Sequence, residues 1–241
     1  FRSKLFEHLG RSTRGQLQTI DNQLEAAMRE MGVSFDVDRN SPWGKRPWFC
    51  DLLPQIFTPA DWNPLSEGIR QRIKAFELFL RDIYSEKQIL RDGIVPVPVV
   101  LGSRFFQRPA PGLPLPSGSF LHLSGIAVGR LPNGELAVKH HYMSHASGMS
   151  YMIQNRRVLT RVIPQSFQET GIHSISDVPT DIVEMLRSHS SENDPLVVLL
   201  TPGPMSPAYS EHGFLSRRMG IPLVQGGDLL VMNDEVYLKT V

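Results

Sequence analysis

From residue 13 to residue 31, TRGQLQTIDNQLEAAMREM, apolar side chains recur at Leu17, Ile20, Leu24, Ala27, Met28 and Met31. Steps of three and four residues predict an amphipathic helix, and Gly32 is placed to end it. A second run of the same period puts Ile69, Ile73, Phe76, Leu80 and Ile83 on one face and Arg70, Arg72, Lys74 and Arg81 on the other, with Thr58 as N-cap and Pro59 in the first turn. Between the two helices NSPWGKRPWFC reads as an ordered but irregular connection in which Trp43, Trp48 and Phe49 pack.

The pattern changes after residue 108. RPAPGLPLPSG, residues 108 to 118, holds too much proline for a helix interior or a central strand and is predicted to be a loop. FLHLSGIAVGR and ELAVKHHYM flank LPNG, which predicts a hairpin over residues 120 to 143. PTDIVEMLRSHS reads as a short helix, and PLVVLLT, apolar throughout, as a buried parallel strand. Ser206 and Pro207 are placed to start a helix with Ala208, His212, Leu215 and Met219 inward and Gly220 at its end; IPLV resumes a strand. DLLVMNDEVYLKTV predicts a last hairpin turning at Asn233 and Asp234. There is no internal repeat, and the mixture indicates an α+β or α/β architecture.

Composition narrows the partners. In 241 residues, 25 Lys and Arg stand against 24 Asp and Glu, so no basic field favours nucleic acid or an anionic membrane surface. No apolar run approaches a bilayer span, and FRSKLFEHLGRST lacks the apolar core of a signal peptide. The single Cys50 forms no internal disulfide, which fits a reducing compartment, and a cytoplasmic location is expected. A chain that starts at Phe1 suggests a fragment.

Three stretches carry candidate chemistry. In HASGMSYMIQNRR, residues 145 to 157, SGMSY can turn successive amide hydrogens toward an anion, with Asn155 and Arg156 as further donors; the alternative is a glycine turn followed by an exposed strand. TPGPMSPAYSEH lies at the carboxyl end of the predicted strand, where Thr201, Gly203 and Ser206 can present donors, followed by Tyr209, Glu211 and His212. There, too, the alternative is a core histidine at His212 and a surface or capping acid at Glu211. VKHHYMSH supplies His140, His141 and His145, but adjacent strand residues face opposite sides, so only His141 and His145 can share an ion, and then only with a ligand from elsewhere. Cys50 has no sequence neighbour that would activate it, and no nucleophile elbow, P-loop or GxGxxG is present.

VVLLTPGPMSPAYSEHGFLSRRMGIPLVQGGDLLVMNDEVYLKT, with WNPLSEGIRQRIKAFELFLRDIY, RDGIVP, LHL and SGMSYMIQNRRVLTRVIPQSF upstream, resembles the circularly permuted ATP-grasp proteins of the type 2 group, relatives of glutathionylspermidine synthase-like carboxylate-amine ligases. The resemblance covers nearly the whole chain and implies an ATP-grasp-like fold with mixed sheets and flanking helices. It implies a helical region over 1–110 and an ATP-grasp-like α/β region over 111–241, or one continuous domain. It also implies ATP and Mg2+ as cofactors, a carboxylate activated as an acyl phosphate, and members that extend beyond Val241.

Set against the family pattern, Ala127 and His141 stand at the two aspartate positions and Ser144 at the glutamine. Ala146 replaces the loop proline, Ser150 its second glycine, Gln154 the glutamate before Asn155, and Gln225 the glutamate of the last hairpin segment. The retained residues are Arg130, Ser147, Gly148, Tyr151, Asn155, Arg156, Thr201, Gly203, Tyr209, Glu211, His212 and Asp228. Of these Arg130, Ser147, Gly148, Asn155, Arg156 and Asp228 are ATP or phosphate candidates; Thr201, Gly203, Tyr209, Glu211 and His212 are substrate-cleft candidates; no metal site is expected. Losing two carboxylates removes most of the attraction for Mg2+. The expectation is a degenerate domain that binds a nucleotide, a small carboxylate or a protein partner. The alternatives are an active ligase recruiting metal through other acids, such as Glu211, Asp228 or residues after Val241, and a transition-metal module at His141 and His145.

Overall fold

Leu24, Ala27 and Met28 lie inward on α1 (Arg14–Glu30), whose first turn is closed by a capping box between Thr13 and Gln16. The computed structural model describes residues 5, 7, 9–35, 48–112, 115, 118–144, 146–167 and 171–239. The expectations at Trp43 and His145 fall outside them. The chain divides into two compact units, Phe1–Ile56 with Ser147–Val241, and Phe57–Ala146.

In the first unit α1 packs on α5 (Met149–Val162), and the core between them holds Leu24, Met28, Val33, Cys50, Tyr151, Val158 and Leu159. Trp48 stacks on Tyr151 at 4.0 Å between ring centroids, as its expected packing role requires, but Phe49 is 78% exposed. The opposite side of α5 contributes Ile153 to a smaller cluster with Phe214 and Leu215 of α7 (Tyr209–Met219), beside which lies α6 (Val178–Arg187). Gly220, at a φ of 67°, ends α7 as expected of a left-handed C-cap.

The apolar run at residues 195 to 201 is only partly a strand. β3 (Leu199–Leu200) pairs in parallel with β4 (Leu223–Val224), but the ladder is two residues long and Leu200 is 59% exposed. Successive strand residues point to opposite faces. Leu199 therefore joins the Phe214 cluster and Thr201 is buried, while Leu200 points away from it. β5 (Leu229–Met232) and β6 (Glu235–Leu238) form the expected hairpin, with Asn233 and Asp234 at φ of 52° and 63°. Both central residues of such a two-residue turn need positive φ, which Asn and Asp tolerate best among residues bearing a Cβ.

In the second unit α2 (Pro59–Ile83) shows the expected cap at Thr58, joined by Asp61 in a capping box. Asp82 at its end accepts from the amides of Gln88 and Ile89, both at 2.9 Å, which caps the short α3 (Gln88–Arg91). Ile83, Leu90 and Val100 of α4 (Val97–Leu101) form this unit's core. Glu77 accepts from the amides of Phe120 and Leu121 at 2.9–3.1 Å and so pins the segment entering the hairpin of β1 (Gly125–Arg130) and β2 (Leu136–Tyr142). That hairpin carries a bulge at Lys139, because Ala127 pairs with His140 but Val128 with Val138. Among the described residues no helix is long and apolar enough to cross a membrane.

Truncating Leu24, 1% exposed, to Ala is expected to lower unfolding stability by about 2–5 kcal/mol, whereas Leu196→Ala at the surface should change it by less than about 0.5 kcal/mol. Urea titration of both variants measures the contrast; equal effects would place the core elsewhere.

Candidate functional site

The glycine stretch is not followed by an exposed strand: Met149 begins a 14-residue helix whose Ser150, Tyr151, Ile153, Gln154, Val158 and Leu159 are buried. Gly148 takes the N-cap position at a φ of 97°, without a side-chain cap of its own, and a residue with a Cβ would be strained there. The cap comes from Glu211. Its Oε1 accepts from Gly148 N at 2.7 Å and from Ser150 N at 3.2 Å, and the side chain is 3% exposed. Glu211 also sits in the first turn of α7, so one carboxylate serves the N-termini of two helices. Both partial positive ends favour it.

Beside it the TPG turn is tightly braced. Thr201 Oγ1 lies 2.9 Å from His212 Nδ1 and accepts from Gly203 N at 3.2 Å, while Thr201 N donates to Val224 O. Gly203 has a φ of 94°, an angle that strains a residue with a Cβ, and a Cβ there would also press on the Gln225 side-chain amide. His212 is half-buried and held by Thr201, an arrangement that fits a core histidine. Tyr209 opens α7, whose buried face takes Glu211, Phe214 and Leu215 rather than Ala208. Ser206 and Pro207 form the turn just before it.

Each of the remaining phosphate candidates has its own local surroundings. Arg156 lies two turns along α5, about 10 Å from its start at the usual helical rise. It donates to His173 O at 3.1 Å, and burial lowers its pKa from the ordinary value. Asn155 Oδ1 is buried without a partner, and Ser147 is exposed. Asp228 Oδ2 accepts from Gln225 N at 2.8 Å and caps the turn Gly226–Asp228. In the other unit Arg130 donates to Gly134 O at 2.7 Å and pairs with Asp61 at 3.5 Å.

A match to a family model decides the family. A family model described as circularly permuted ATP-grasp type 2 matches residues 54–241. The chain belongs to that family. An uncharacterised protein of Mycobacterium tuberculosis is 35% identical over 238 residues, 98% of this chain and 42% of its own length. One from a Synechocystis strain is 34% identical over 238 residues, 98% of this chain and 50% of its own length. A Frankia alni protein named "Putative glutamate--cysteine ligase 2-3" is 33% identical over 231 residues, 91% of this chain but 26% of its own length. The chain thus spans half or less of each of these relatives.

ATP-grasp proteins generally use ATP and Mg2+. Mg2+ requires a shell of oxygen ligands. Ala127, His141 and Ser144 bring no carboxylate, and an Arg72 guanidinium nitrogen stands 3.5 Å from His141 Nε2, where it disfavours any cation. Among the described residues no three His, Cys, Asp or Glu side chains are grouped to hold a metal ion. Gly148 and Ser150, whose amides would meet a phosphate, already donate to Glu211. Cys50 is buried, and burial with Asp51 nearby raises its thiol pKa to about 11, so it is an inert core thiol.

Reading the residues singly left out this pairing: Gly148 and Glu211 are 63 positions apart, and no local pattern joins them. Glu77 and Asp82 were missed for a different reason, since acids on an amphipathic helix look like solvent-facing charges until the chain folds back over them.

Glu211→Gln keeps an acceptor but removes the charge. It is expected to lower stability by about 1–2 kcal/mol, visible as a Tm lower by roughly 2–8 °C in calorimetry; an unchanged Tm would show that the charge at these helix ends is dispensable. His141 is held below its ordinary pKa of 6.5 by burial first, then by Arg72 and His140. Its contribution to stability is therefore present above pH of about 6.5 and declines as the pH falls, because the unfolded imidazole takes up its proton first. In an NMR titration Arg72→Gln should raise the His141 midpoint, and no movement would remove Arg72 as a cause.

Proposed function

We propose that the chain is a degenerate ATP-grasp-like domain that acts as a non-catalytic binding module. The observation that carries this reading is the Glu211 carboxylate on the amides of Gly148 and Ser150: the seat an incoming phosphate would need is filled by the protein's own anion. A triphosphate would have to displace a buried charge that makes two charge-assisted hydrogen bonds, each worth about 1.5–3 kcal/mol. The neutral residues Ala127 and Ser144, with a cation beside His141, support the same reading, because nothing there offsets the cost of dehydrating Mg2+.

An active carboxylate-amine ligase is the second reading, favoured by the name of the Frankia relative and by the family itself. The Frankia name belongs to a protein of which this chain covers about a quarter. Two acids within the chain that could recruit metal in its support, Glu211 and Asp228, are both engaged by backbone amides. Isothermal titration with ATP separates the readings: the binding-module reading expects equal heats with Mg2+ and with EDTA, and no ADP release above background with amino acids, peptides or polyamines. Mg2+-dependent binding that is lost in Arg156→Ala, or ADP formed with any acid and amine pair, would establish the ligase.

A further inference from the structure

In the first unit, the residues after α1, α5, α7 with the turn before it, and β4 line a partly open cavity of about 340 Å3, toward the small end of the range for small-molecule sites. Its lining combines apolar Phe214 and Leu223 with hydrogen-bond donors. Gln154 is 3% exposed, lines the cavity, and its Nε2 has no hydrogen-bond partner. A buried amide donor left unsatisfied costs about 1–3 kcal/mol, which a ligand acceptor would recover. Arg217 also lines the cavity, its NH1 placed 3.4 Å from where a Cβ on Gly213 would stand, and it has no ion-pair partner among the described residues. Tyr209 adds a phenol. Among the described residues no Asp or Glu lines the space, and the one formal charge they bring to it is positive.

We infer that this cavity is a binding site for a small monocarboxylate with an apolar, ring-sized body, the carboxylate directed at Arg217 and the Gln154 amide and the body lying against Phe214 and Leu223. A guanidinium and an amide N–H both call for an acceptor, and a carboxylate satisfies the charge as well as the lone pairs. A phosphate would suit Arg217 but not the apolar wall. Neither Gly148 nor Ser150 lines the cavity, so the site stands whether or not nucleotide reaches those amides.

Phenylacetate and its neutral analogue phenylacetamide, titrated into the 241-residue chain and followed by NMR, test this. Phenylacetate should bind saturably with a Kd of about 0.1–1 mM and shift the Gln154 side-chain amide signals; phenylacetamide should bind at least about tenfold more weakly. Arg217→Gln, at the surface, should weaken phenylacetate by about tenfold, and Gln154→Glu, nearly equal in shape, should abolish binding by placing a like charge beside it. Should Gln154→Glu fail to fold, Arg217→Gln alone decides. Equal affinity for acid and amide, an Arg217→Gln variant that binds as the parent does, or no saturable binding of phenylacetate up to about 10 mM would each overturn the inference.

Discussion

One buried carboxylate ties together the elements on which the first unit depends. Glu211 begins one helix and caps another, and the amides it satisfies at Gly148 and Ser150 have no other side-chain cap. A helix start buried without such a partner would leave orphan N–H groups in a region that excludes water. With it, α5 can begin abruptly at a glycine and present two faces, Tyr151, Val158 and Leu159 to the α1 core and Ile153 to the α7 cluster. At the glycine turn the same interaction engages two amide donors with an internal anion.

Acids serve the backbone elsewhere too. Asp82 caps α3, Glu77 fixes Phe120 and Leu121, Asp61 completes the box at Thr58, and Asp228 caps the turn before β5. Carboxylates used this way hold turns and helix ends in place, whereas a metal-dependent transfer site needs carboxylates directed at open space. The positive groups show the complementary pattern. Arg72 lies against His141, Arg130 holds the turn at Gly134, and Arg156 reaches His173, each engaged within its own unit.

Much of the fold was legible in the sequence wherever one periodicity ran long enough. The faces of α1 and α2, the turn at Asn233 and Asp234, the hairpin of β1 and β2 and the stop at Gly220 all follow from local spacing and turn chemistry. The family was legible from the TPG and AYSEH segments, and the family match agrees with it. Two elements resisted for physical reasons. The run at residues 195 to 201 reads as fully buried, but only the face carrying Leu199 meets the Phe214 cluster, and alternation sends Leu200 outward. The helix after Gly148 reads as a turn and strand in one of the two readings, because the carboxylate that caps it lies 63 residues from Gly148 and no Ser, Thr, Asp or Asn holds the N-cap position. Of the candidate site, the identities were visible but the partnerships were not: Glu211 with Gly148, Thr201 with His212, Gln225 over Gly203.

The most direct measurement follows the backbone amide signals of Gly148 and Ser150 by NMR while ATP and Mg2+ are raised to saturation. If the internal carboxylate keeps its place, both signals stay where they are in the free protein. Large downfield movement of both, the mark of a phosphate taking over from Glu211, would contradict the account.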